Sequence, residues 1–248
     1  MEQLSDQDRA IYEWQLDVPG MGAPEQLRLR NAVALVSRAG GLGGPLCFSL
    51  AAAGIGKLII AHAGNLRPDD LNRQILMSYP GLGKPRADSI EETLRRFNPN
   101  IGLEVVGENI AEGNVSSLVD QADIVFGAAP LFEERLLLNR ECVRRKIPLI
   151  DCAMYNMEGH VIPIIPGTTP CLACLYPELP PRWKRRFPVF GAVSALTANI
   201  GAIEGIKQIT GIGDVQTGKL IFFDAGTMEF HKFRIKKNPE CDVCREIK

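Results

Sequence analysis

The chain has 248 residues, with 28 Lys and Arg against 29 Asp and Glu and a formal net charge of −1. At 46% hydrophobic and 23% charged residues, it has the composition of a globular protein and no charge excess that calls for nucleic acid or an anionic membrane as partner. The polar, acidic start "MEQLSDQDRAIYEWQ" carries no targeting signal, and no apolar run is long enough to span a bilayer.

In chain order, residues 6–16 read as a short amphipathic helix. "PEQLRLRNA" reads as a second helix, with Pro24 in its first turn. "AVALVS", 32–37, is a continuous apolar run, as a buried parallel strand should be. Glycines follow, then a helix over 42–53 and a strand "KLIIA" over 57–61. "KPRADSIEETLRRFNPN" places Ile90, Leu94 and Phe97 four and three residues apart and so predicts a helix, stopped by Asn98-Pro99. "LEVVG", "ADIVFG" and "PLID" predict three more strands, with the helix "FEERLLLNRECVRRK" between the last two. This alternation predicts an α/β fold with a doubly wound, mostly parallel sheet. The later segments "GHVIPIIPG" and "GKLIFFDAGTMEFHKFRIKK" read as antiparallel strand and hairpin, and "AVSALTANIGAIEGIKQITG" as a long small-residue helix closed by Gly211. The second half has no core of its own. Residues 1–248 therefore read as one domain, with 1–31 as an N-terminal helical arm.

Seven cysteines without a signal peptide point to a reducing, cytoplasmic setting, where metal binding is favoured over disulfides. Cys171-Leu-Ala-Cys174 and Cys241-Asp-Val-Cys244 supply four thiolates, the ligand set of a closed structural zinc site. Their long separation suits a staple between distant segments. Cys47, Cys142 and Cys152 read as small core residues.

"AGGLGG", "DDLNRQIL", "GKPRADS", "NPNI", "EGHVIPIIPG", "PCLAC", "IEGIKQITG", "LIFFDA" and "NPECDVC" occur in that order. The ordered set resembles the ThiF/MoeB branch of the ubiquitin-activating-enzyme superfamily. "LRPDDLNRQILM" and "RRFPVFGAVSA" most resemble its HesA-type members. The resemblance implies a Rossmann-like nucleotide-binding fold with a four-cysteine zinc site, and a homodimer, for which the small-residue helix offers close packing. It also implies, for HesA-type proteins, a role in nitrogenase metallocofactor assembly, including molybdenum supply.

The family holds ATP or ADP phosphates with a glycine loop and an S-N-L-x-R-Q segment. Gly40, Gly41 and Gly43 match the loop. Leu71, Arg73 and Gln74 match the segment around Asn72, with Asp69 and Asp70 replacing Ser and Asn. The family's phosphate-binding lysine aligns with Arg86. Arg38 stands where the loop's first glycine belongs; it reads either as an added phosphate or oxyanion ligand, or as an arginine turned to solvent or blocking the pocket. The ribose-binding acid after the second strand becomes His62, either a site residue or a satisfied histidine. The D-x-x-D-N motif for magnesium and catalysis becomes Gly127-Ala-Ala-Pro130-Leu131. The cysteine before the long helix is absent from "WKRRFPVFGAV", and Trp14 replaces an arginine that reaches into the partner subunit. The basic stretch 180–188 reads as a solvated crossover loop or a grip for an acidic partner. His160 and His231 fall in strand patterns, and Asp224 closes a strand where it can cap a turn.

Three functions compete. The first is HesA-type, nucleotide-dependent work in metallocofactor assembly, such as oxyanion activation. The second is adenylation of a ubiquitin-like sulfur carrier, with Asp69 or Asp70 replacing the lost magnesium acid. The third is a catalytically inactive, zinc-stapled scaffold.

Overall fold

The computed structural model describes residues 3–179 and 187–247, so most of the basic stretch 180–188 lies outside the described residues. The N-terminal segment forms two short helices, α1 (Asp6–Ile11) and α2 (Glu13–Leu16), rather than one. The break falls at Tyr12, whose ring packs where Gly54 has no side chain and whose hydroxyl accepts from the Asn98 amide at 3.2 Å. After α3 (Ala23–Asn31), the Gln15 and Gln26 amides both donate to the Ala53 carbonyl, at 2.9 and 3.0 Å.

Then come β1 (Val33–Ser37), α4 (Gly43–Ala53), β2 (Lys57–Ala61), α5 (Arg86–Phe97) and β3 (Gly102–Val106). A short α6 (Val115–Val119), not foreseen from the sequence, precedes β4 (Ile124–Gly127), α7 (Phe132–Arg145) and β5 (Leu149–Tyr155). The chain ends with β6 (Glu158–Ile164), α8 (Leu172–Leu175), α9 (Gly191–Thr210), β7 (Lys219–Asp224) and β8 (Glu229–Arg234). Among the described residues, eight strands form one sheet in the order β3-β2-β1-β4-β5-β6-β7-β8. The first five are parallel, and β6, β7 and β8 add antiparallel. This is the expected doubly wound α/β sheet with antiparallel C-terminal strands.

Strand alternation divides the core between the two faces. Ala34 and Val36 of β1 pack with Leu46 and Leu50 of α4 and with Ala198 and Ala202 of α9. Leu35, between them, packs with Val125, Leu138 and Val143 on the α6/α7 side. The small residues of α9 serve this packing within the chain. A Cβ at Gly201 would lie 2.4 Å from the Cys152 sulfur, and one at Gly205 2.3 Å from the Phe126 ring. Gly211 ends α9 in the left-handed conformation, φ 81°. No helix among the described residues is long and apolar enough to cross a membrane.

Candidate functional site

The strand order reverses between β1 and β4, and the crossovers from them leave toward opposite faces. Beyond the carboxyl ends of these strands lies the crevice where open α/β sheets bind ligands. Ser37 and Gly127 pair there in register. The Ser37 hydroxyl accepts from the Ala128 N–H at 2.9 Å and ties the two strand ends together.

The loop after β1 runs into the N-terminus of α4, which has no side-chain cap. The Gly44 N–H is taken by the Gly40 carbonyl at 2.8 Å and Pro45 has none, so it is chiefly the positive end of the helix dipole that favours an anion here. Gly43 is required by packing, since a Cβ there would sit 1.8 Å from the Arg38 carbonyl oxygen. Gly40 differs: a Cβ there would only reach ordinary contact with His62 at 3.8 Å and Gln74 at 3.9 Å. Arg38 adopts φ 68°, the left-handed region that favours glycine. Its guanidinium points neither to solvent nor to an empty cradle. Nε and Nη2 both donate to Oε2 of Glu134, at 2.8 and 2.6 Å. Glu134 lies in the first turn of α7, where a carboxylate also meets the positive end of the helix dipole. Burial raises its pKa, against the lowering effect of Arg38.

The segment after β2 separates the two neighbouring acids. Asp69 is exposed and pairs with the equally exposed Arg67. Asp70 is 3% exposed. It accepts from the Arg67 N–H at 3.0 Å, Gln74 Nε2 at 2.7 Å and Arg86 Nη2 at 2.6 Å, and Arg73 Nη2 stands at 3.5 Å. Its oxygens are therefore taken, and it organises the cations instead of standing free as a magnesium ligand. Arg86 opens α5, and its Nη1 also donates to the Ala63 carbonyl at 3.0 Å. Gly64 makes room for it: with φ 84°, it would place a Cβ 2.8 Å from that Nη1. Arg73 lies over Gly41, with its Cγ 2.8 Å from where a Cβ would be, and bonds the Asn72 side chain at 2.9 Å. The Asn72 backbone abuts Gly191, the first residue of α9.

His62 is 5% exposed. Burial, and then Arg86 and Arg38, bring its pKa down to about 4, so the ring is neutral. Arg38, Arg73, Arg86, Asp70, Gln74, His62 and the glycine loop thus form one neighbourhood. Among the described residues, five buried side-chain atoms lack a hydrogen-bond partner. Four belong here: His62 Nδ1, Gln74 Oε1, Arg86 Nε and Glu134 Oε1.

Glu134 was not among the sequence-derived candidates. Its signal was an acid pair opening the helix that follows β4, with an unexplained cation, Arg38, in the opposite loop. Arg135, the next residue, was also missed. It is 4% exposed, and its Nε bonds Asp151 of β5 at 3.0 Å. His160 of β6 stands beside it at 3.3 Å, and burial brings His160 down to about 4. Asp151 fills the space beside Gly127, where a Cβ would lie 3.0 Å from its carboxylate oxygen. His231, by contrast, is exposed on β8 against Phe222. Asp224 caps a turn by accepting from the Gly226 N–H at 2.7 Å.

The four clustered cysteines meet on the α7 side of the sheet, their sulfurs all within 4.8 Å of one another. Cys171 and Cys241 are 3.7 Å apart, Cys174 and Cys244 3.4 Å. A tetrahedron with bonds of roughly 2.3 Å has sulfur–sulfur edges of about 3.8 Å, so the donor set fits a metal ion. The Asn238 N–H approaches the Cys174 sulfur at 3.5 Å, and Asn139 of α7 anchors the Leu172 N–H at 2.8 Å. Burial pushes Cys171 up to about 11, a cost to its thiolate that a bound cation would offset. Cys47, Cys142 and Cys152 are fully buried, and burial raises each.

The profile of the ThiF family matches residues 12–243. Over 234 residues the chain is 44% identical to "Protein HesA, heterocyst" of Trichormus variabilis, covering 94% of this chain and 87% of that one. It is 33% identical over 239 residues to the SAMP-activating enzyme E1 of Haloferax volcanii, covering 95% and 88%. The crystal structure of E. coli MccB with ATP superposes with a TM-score of 0.81 at 25% identity, over 96% of this chain and 72% of MccB.

Proposed function

The chain belongs to the ThiF family, and on that premise we propose that it is a cytoplasmic, HesA-type nucleotide-binding protein. In this reading it holds ATP or ADP phosphates at the β1/β4 crevice and serves nitrogenase metallocofactor assembly rather than carrier adenylation. The observation that carries the reading is the gathering of three arginines, Arg38, Arg73 and Arg86, and neutral His62 around the glycine loop, with the buried Arg86 Nε unpartnered. Buried polar groups are nearly always paired. An unpaired guanidinium donor beside the start of α4 and two further guanidiniums suits a polar anion, whereas the unpaired Gln74 Oε1 and Glu134 Oε1 are acceptors and call for a donor or a cation.

The residues divide the work. The α4 N-terminus and Arg73 face the phosphates. Arg86 Nε is a free donor at the same place, while its Nη groups are fixed by Asp70 and Ala63. Neutral His62 can offer one ring N–H without adding charge. The departure from carrier adenylation rests on His62, Pro130 and the missing cysteine, all at positions where the family motif has acids or a nucleophile. The greater identity to HesA than to the SAMP-activating enzyme supports the same choice. Similarity to a protein named sulfur carrier protein adenylyltransferase keeps carrier adenylation as the second reading. We assign zinc to the four cysteines as a structural ion, since four thiolates leave no open position. We also assign a homodimer, with Trp14, 87% exposed on α2, available to an interface.

Calorimetric titration with ATP and ADP tests the reading. Arg73→Ala, which removes a half-buried donor, should weaken binding by about 1.5–3 kcal/mol, as for a hydrogen bond to a charged group. Wild-type protein that binds neither nucleotide would leave the inactive scaffold in its place. ATP–pyrophosphate exchange driven by a glycine-tailed carrier would put the adenylyltransferase first.

A further inference from the structure

We propose that Glu134 supplies the divalent-cation ligand that position 130 no longer provides, holding through Oε1 a cation shared with the nucleotide phosphates. The proposal rests on the nucleotide reading above.

Three observations carry it. First, Glu134 Oε1 is a buried carboxylate oxygen with no partner, while Oε2 takes two donors from Arg38. A carboxylate has about four acceptor positions, and Arg38 leaves the whole of one oxygen unused. Second, the neighbouring acids are engaged or turned to solvent: Glu133 is exposed, and Asp151, beside Gly127, takes donors from Arg135 on both oxygens. Asp70 is saturated by Arg67, Gln74 and Arg86, and Asp69 faces solvent with Arg67. The end of β4 reads Gly127, Ala128, Ala129 and Pro130, none with a ligand side chain. Third, Glu134 follows Pro130 by four residues and lies in the first turn of α7, which springs from that strand end. One helical turn thus brings a carboxylate to the loop after β1, where Arg38 fixes it.

The chemistry is consistent with magnesium. Mg²⁺ keeps several waters and is usually held by one or two carboxylates together with substrate phosphates. A single oriented oxygen beside a phosphate cradle meets that need. Without a cation, the same oxygen repels the phosphate charge. Glu134 therefore makes nucleotide binding depend on the cation, and Arg38 is its positioning residue.

The test is ADP titration with and without Mg²⁺, together with Mn²⁺ binding followed by electron paramagnetic resonance. Wild-type protein should bind ADP tenfold or more tightly with Mg²⁺ and immobilise about one Mn²⁺ per chain only when ADP is present. Glu134→Gln should lose that gain and the Mn²⁺ signal change, while binding ADP without metal at least as well as wild type. Glu134→Asp keeps the charge one methylene back and should retain part of the gain; it serves if the glutamine variant melts early. Asp69→Asn should keep the whole gain. A gain that survives in Glu134→Gln, or disappears in Asp69→Asn, overturns the proposal. ADP binding indifferent to Mg²⁺ overturns it alone, whereas a wild type that binds no nucleotide overturns the parent reading as well.

Discussion

Asp69 and Asp70 are adjacent acids, and the fold gives them opposite energetic weight. Removing the Asp70 carboxylate, as in Asp70→Ala, strips the acceptor from the Arg67 N–H, Gln74 and Arg86 at once. The Arg86 side chain is 14% exposed and the Asp70 side chain 5%, so water replaces the lost partner poorly. Breaking a buried ion pair from one side costs about 3–5 kcal/mol. For a chain of this size that corresponds to a melting point lower by roughly 6–20 °C, at 2–4 °C per kcal/mol. Asp69→Ala removes an ion pair whose side chains are 58% and 62% exposed, and solvent-screened pairs of this kind contribute little to stability. Urea unfolding followed by circular dichroism, with equal m-values, measures both. Asp70→Asn keeps the shape and one acceptor and should fall between them. An Asp70→Ala protein within 1 kcal/mol of wild type would refute the account of Asp70 as the buried hub of the cation cluster.

The remaining predictions concern the metal site, the buried histidine and the thiols. Purified protein should carry about one zinc per chain, and Cys241→Ser should lose it together with several kcal/mol of stability, because metal binding here is folding energy; metal-free protein of unchanged stability would count against the staple. His62 has its pKa lowered from 6.5 to about 4, so the unfolded chain takes up a proton that the fold refuses. Its contribution is full above pH 6.5 and is lost as the pH falls toward 4, by up to about 3 kcal/mol; His62→Gln should flatten that slope in pH-dependent unfolding. Cys47, Cys142 and Cys152, buried with raised pKa values, should resist thiol reagents in the native state. They should also form no adduct with glycine-tailed carriers, ATP and magnesium by intact-mass spectrometry; an adduct mapped to any of them would restore carrier activation.

The inactive-scaffold alternative and the nucleotide reading differ over the same cluster. An inactive site has no reason to keep unpartnered polar atoms, because each costs stability until something pairs with it. Arg38 makes the point sharply. It holds a left-handed backbone, which costs of order 1–3 kcal/mol, in order to place a guanidinium on Glu134.

Much of the fold was legible from local pattern alone. The apolar runs at β1 and β2, the spacing of Ile90 and Leu94, and Gly211 after the long helix each report a preference that the chain settles within a few residues. The four zinc-type ligands were legible because C-x-x-C is itself local chemistry. Other features were not legible, because they depend on partners far along the chain. Tyr12 breaks the first helix because Gly54 and Asn98 receive its ring and hydroxyl. β5 runs on to Tyr155, well past the "PLID" that announced it, because β6 pairs along its whole length. The small residues of α9, legible as a packing surface, turned out to face Cys152 and Phe126 of the same chain. In the site, sequence supplied the residue types, and tertiary structure decided which carried charge into the crevice. Burial and pairing are properties of the assembled neighbourhood. Only the folded chain could separate Asp70 from Asp69, bring Arg38 to a glutamate on the far side of the crevice, and leave that glutamate with one oxygen free.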